Sequence, residues 1–135
     1  MQKKSILMLV LAVLVVAQIA CGFNYSSANI ADAYMSLDSE GTQSTSVYSD
    51  EAVFYAIVDL ANAPDGTEVT AAWIAADAEG EEPNLLIDEV SITSGSTVLV
   101  FDLANEVGFL WPAGAYQVEI YLNGELDTTL NFQVQ

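Results

Sequence analysis

The segment AYQVEIYLNGELDTTLNFQV, residues 115–134, constrains the fold more than any other part of the chain. Apolar and polar side chains alternate on both sides of Asn123 and Gly124. Successive side chains of a strand point to opposite faces of a sheet, so each run presents one apolar and one polar face. Asn-Gly accepts the positive φ angles that a two-residue hairpin turn requires. The pattern predicts two antiparallel strands, with Tyr116, Val118, Ile120 and Leu122 on the buried face of the first. Leu126, Thr128, Leu130, Phe132 and Val134 take the buried face of the second, and Tyr121 points outward beside Glu119. A one-residue slip would expose the whole apolar set, which makes the pairing specific.

Upstream, short apolar runs alternate with turn signals. Strands are predicted over 30–38, 52–60, 68–77, 85–92 and 96–104. AVFYAIVDL (52–60) is apolar nearly throughout, as befits a central strand covered on both sides. Pro64, Asp65 and Gly66 carry strong turn chemistry. EVTAAWIAAD (68–77) alternates and places Val69, Ala71, Trp73 and Ala75 on one face, with Trp73 a core residue. SEGTQSTSVYSD (39–50) is poor in apolar residues and reads as a solvated connection. EVGFLWPAG (106–114) has room for one helical turn before Pro112 and Gly114 stop it. Seven short strands in a stretch of ordinary domain size predict an all-β fold, a single antiparallel β-sandwich over 30–135.

The ending GAYQVEIYLNGELDTTLNFQV resembles the last two strands of immunoglobulin-like domains in bacterial surface lipoproteins, and Trp73 resembles their core tryptophan. The paired cysteines of antibody-type domains are missing. The resemblance implies an immunoglobulin-like sandwich and a non-catalytic module that serves envelope architecture, adhesion or ligand binding. It transfers no site residues, because such folds host many unrelated functions.

The other end of the chain supplies an address. Lys3 and Lys4 precede the apolar run SILMLVLAVLVVAQIA, and small residues follow. Charge, then an apolar stretch, then small residues is the order of a secretory signal peptide, here a helix within 1–20. Ile6 to Ala17 is too short for a bilayer span of about 20 residues. Ile19, Ala20 and Cys21 resemble the lipobox of bacterial lipoproteins, with Gln18 standing where an aliphatic residue is usual. Lipidation would make Cys21 the mature N-terminus and place residues 21–29 as a tether on the cell membrane or cell surface. Two or three acyl chains anchor stably where one does not. Seven extended residues, 23–29, reach roughly 20 Å. Ordinary cleavage after Gly22 would instead release a soluble secreted domain. A lone cysteine in an exported chain lacks an intramolecular partner, which favours attachment as its role.

Removing Lys3 and Lys4 leaves no Lys, Arg or His, and moves the formal net charge from −17 to −19. Such a chain repels phosphate backbones, which argues against nucleic-acid partners and for protein or cationic ligands. Its chemistry is equally restricted. Histidine bases, lysine Schiff bases, thiolate nucleophiles and arginine clamps are all missing. A carboxylate pair is the one common catalytic device left, and no pair stands out, so no enzymatic activity and no cofactor are expected.

Two groups of candidate residues remain. Asp77, Glu79, Glu81 and Glu82 concentrate carboxylates that calcium could use, although their spacing matches no standard calcium loop and a solvated charged turn explains them equally. Trp111, Phe109 and Tyr121 are aromatics that could form an interaction surface; alternatively, Trp111 closes the open end of the sandwich. Asn24-Tyr25-Ser26 is an N-glycosylation sequon within the proposed tether.

Overall fold

The computed structural model describes residues 27–135, and the expected signal peptide, Cys21 and the sequon lie outside them. The described residues form eight β-strands and no helix: β1 (Asn29–Ser36), β2 (Val47–Tyr48), β3 (Phe54–Ala61), β4 (Thr67–Ala78), β5 (Leu85–Ser94), β6 (Thr97–Leu103), β7 (Gly114–Leu122) and β8 (Glu125–Val134). They make a sandwich of two sheets, ordered β1-β3-β6 and β2-β8-β7-β4-β5. All pairings are antiparallel except β2 with β8. The expected all-β sandwich is therefore observed, with the immunoglobulin-like division into two sheets.

Each sheet buries one face. β3 contributes Phe54, Ala56, Val58 and Leu60, and β6 contributes Leu99, Phe101 and Leu103. Opposite them stand Val69, Ala71, Trp73 and Ala75 from β4, Tyr116, Val118 and Ile120 from β7, and Phe132 and Val134 from β8. Phe54 is the hub. Its ring centroid lies 4.9 Å from that of Tyr48, 4.8 Å from Phe132 and 4.8 Å from Trp111. Aromatic pairs in these edge-on and offset arrangements add about 0.5–1.5 kcal/mol each beyond the area they bury.

The hairpin turn is as the sequence predicts. Asn123 (φ 48°) and Gly124 (φ 84°) both have positive φ, and Leu122 pairs with Glu125. One detail is corrected. The register shifts between Ile120, which pairs with Thr128, and Tyr121, which pairs with Leu126. Asp127 is the extra residue of this bulge, and a single inserted residue reverses the facing of everything beyond it. Leu126 therefore joins Tyr121 on the outer face and is 53% exposed.

The segment expected as a solvated connection is partly ordered against the domain. Leu37 N–H donates to the Gln43 carbonyl at 2.9 Å and Thr45 N–H to that of Met35 at 3.0 Å, so the chain after β1 doubles back on itself. The Asp38 carboxylate holds this excursion together. It accepts from the hydroxyls of Ser36 and Thr42, and from the Thr42 and Gln43 amides at 2.9 and 3.0 Å. The Tyr34 hydroxyl donates to the Gly41 carbonyl at 2.9 Å. Tyr34 is the β1 partner of Ile57, whose outward-facing side chain is buried near Gly41. The excursion thus covers the outer face of β3 at Ile57, while Asp59 remains exposed. The chain then crosses to the other sheet, where Val47 and Tyr48 pair in parallel with Gln133 and Val134.

Gly114 marks the tightest backbone approach. Its φ is 146°, and a Cβ there would sit on the Asp77 carbonyl oxygen and 2.7 Å from the Ala78 Cα. Only glycine lets β7 start against the bulged end of β4.

Candidate interaction surface

The three aromatic candidates occupy two regions and differ in exposure. Trp111 is buried, which corrects its assignment to an exposed surface. Its ring stacks on Phe54, its indole Nε1–H donates to the Ala52 carbonyl at 2.8 Å, and its backbone N–H donates to that of Asp50 at 2.8 Å. It closes one end of the sandwich, the other role the sequence allowed. The segment around it contains no helical turn. Phe109 N–H donates to the Glu106 carbonyl at 3.1 Å in a single tight turn, with Gly108 at φ 88°. This turn leaves Val107, Phe109 and Leu110 exposed, Phe109 at 65%.

Tyr121 lies on the outer face of the five-stranded sheet. This face carries a groove of about 500 Å³ that runs along β4 between β5 and β7. Register builds it row by row. Thr70 stands between Tyr121 and Ser91, Ala72 between Glu119 and Glu89, and Ile74 between Leu86 and its β7 partner Gln117. The small side chains sink the floor: Thr70 and Ala72 are buried although they face outward. The Thr70 and Ser91 hydroxyls are hydrogen-bonded at 2.7 Å, and the Tyr121 hydroxyl donates to Glu119 Oε2 at 3.2 Å. Partial burial and the carboxylates of Glu119 and Glu89 push the Tyr121 phenol up.

Sequence reasoning identified Tyr121 and missed the groove, because its residues come from three strands that only the register brings together. The signal within reach was the outward row Glu68, Thr70, Ala72 and Ile74, whose small members break an otherwise bulky pattern.

The carboxylate candidates do not converge. Asp77, Glu79, Glu81 and Glu82 are all exposed along the end of β4 and the turn after it, and among the described residues no three potential ligands gather as a metal site. Glu79 and Glu81 are fixed by their backbones instead, donating to the carbonyls of Ala113 at 2.9 Å and Ala78 at 3.1 Å. Burial pushes the Tyr116 phenol up, and the Glu81 carboxylate adds to the effect. That phenol donates to the Pro112 carbonyl at 2.6 Å.

Comparison with known proteins bears on the fold. No family model and no curated protein matches the sequence. Among solved structures, an immunoglobulin-like protein from Pseudomonas aeruginosa is similar over 84% of this chain and 100% of its own, with a TM-score of 0.55 and 12% identity. The alkylpurine DNA glycosylase AlkC from Pseudomonas fluorescens, solved bound to DNA containing an abasic site analogue, is similar over 82% of this chain, with a TM-score of 0.54 and 14% identity. The matched region is 31% of the glycosylase chain. At these identities the likeness is one of fold, and it supports an immunoglobulin-like sandwich.

Proposed function

We propose that the protein is a non-catalytic binding module held outside the cytoplasm on a membrane surface by lipid on Cys21. The side chains left after residue 20 include no His, Lys or Arg, which favours recognition over catalysis. The observation that carries the reading is where the chain enters the domain. The Ser27 hydroxyl donates to the Asn62 carbonyl at 2.8 Å, and Asn29 pairs with Ala61, so the N-terminal side meets the sandwich at the Ala61 end of β3. Leu103 pairs with Phe54 at the other end, where the exposed Val107, Phe109 and Leu110 follow. Eight strand residues separate the two ends by about 25 Å. A tether on Cys21 would thus leave that apolar turn free to meet partners from outside.

Partition between detergent-rich and aqueous phases tests the anchor. The wild-type chain from native membranes is expected in the detergent phase and Cys21→Ser in the aqueous phase. Wild type in the aqueous phase would instead favour a soluble secreted domain.

A further inference from the structure

We propose that the groove along β4 docks an extended segment of a partner protein that carries a basic and an apolar residue two positions apart. Alternate residues of an extended segment are about 6.8 Å apart, the same step that separates successive outward rows of β4. Two of those rows differ in chemistry. Glu119 and Glu89 flank the sunken Ala72, and their Cα atoms are about two strand spacings, roughly 9.6 Å, apart. That gap holds one guanidinium or ammonium group between two carboxylates, above an alanine too small to obstruct it. In the next row, Ile74 and the exposed Leu86 offer an aliphatic seat for the second side chain.

Charge complementarity selects the occupant. Glu68, Glu89 and Glu119 line the groove, and no basic residue follows Lys4 anywhere in the chain, so their counter-charge comes from another molecule. A second copy is repelled, since it brings only carboxylates once the leader is removed. The chain's own N-terminal segment also lacks a basic side chain beyond Lys4. Tyr121, held by its bond to Glu119, adds a ring face beside the pair on which a cation can rest.

This proposal rests on the reading of the domain as a binding module, and its test is independent of the lipid anchor. The full chain in non-ionic detergent is titrated into a fluorescently labelled synthetic peptide repeating Thr-Arg-Thr-Leu, with anisotropy as the readout. Detergent-phase partition reports on the anchor separately, so a failure of one leaves the other standing. Binding is expected to weaken about tenfold in the E89Q/E119Q double variant. Leu86→Ser should weaken it several-fold. The D59N/D102N double variant removes the same charge from the opposite sheet and should change it less than about twofold at physiological salt, where screening is strong beyond about 8 Å. Circular dichroism verifies that each variant is folded. Equal losses from the two double variants would show a long-range field in place of a site. Equal binding of a peptide with glutamate for arginine, or with serine for leucine, would also overturn the proposal, as would no binding by any peptide.

Discussion

Trp111 stacks on Phe54 with ring centroids 4.8 Å apart and planes inclined by 29°, and its indole Nε1–H reaches the Ala52 carbonyl, two residues before Phe54. One residue from the 104–113 connection therefore closes the core and fixes the start of β3 together. Trp111→Ala empties a site lined by Phe54 and Tyr116 and is expected to cost about 3–5 kcal/mol. Trp111→Phe retains a ring and leaves the carbonyl without its donor, at about 1–3 kcal/mol. Urea denaturation of the two variants measures both losses, and a Trp111→Ala variant as stable as wild type would show that the residue is peripheral.

Charge sets a second expectation. Asp32 on β1 and Asp59 on β3 are direct cross-strand partners on an exposed face, and like charges placed opposite one another destabilise a sheet. Asp59→Asn should raise stability by about 0.2–1 kcal/mol at low ionic strength. Salt should raise the melting temperature of the wild type and shrink the advantage of the variant, because it screens the repulsion that the substitution removes. Melting curves at low and high salt check this. Curves that do not respond to salt would contradict it.

The Asp38 carboxylate gives a pH signature of opposite sign. The Ser36 hydroxyl, then the Thr42 hydroxyl and the Gln43 and Thr42 amides, hold its pKa down, at about 2 against an ordinary value of 3.8. A depressed carboxylate contributes stability that is present above its unfolded value and is lost as pH falls through its folded one. Asp38→Ala should therefore be less stable than wild type above about pH 4, and the difference should fade towards pH 2. Hydrogen exchange gives the local readout: the Thr42 and Gln43 amides should lose protection in the variant. Across the rest of the domain, protonation of carboxylates relieves repulsion, so mild acid stabilises before strong acid loosens the 37–45 excursion.

Much of the sandwich was legible because period-two alternation and turn chemistry are local signals. Asn123 and Gly124 specify their turn by tolerance of positive φ, and Trp73 lies on the face its neighbours assign. What escaped depends on pairing. The bulge at Asp127 leaves the alternation of β8 undisturbed in sequence and reverses Leu126 in space. β2 is two residues long and takes its strand pairing from β8. Trp111 sits beside exposed Phe109 and Leu110 in a segment with no periodicity, and it is sorted inward by a stacking partner far away in the chain. The groove is the same kind of case, since Glu89 and Glu119 become neighbours of Ala72 only through two separate registers.

The mass of the N-terminal peptide from protein isolated from native membranes decides most directly how this acidic domain is presented. We predict a chain beginning at Cys21 and carrying a diacylglyceryl adduct on its sulfur. A chain beginning at Phe23 with no lipid would contradict the anchored module.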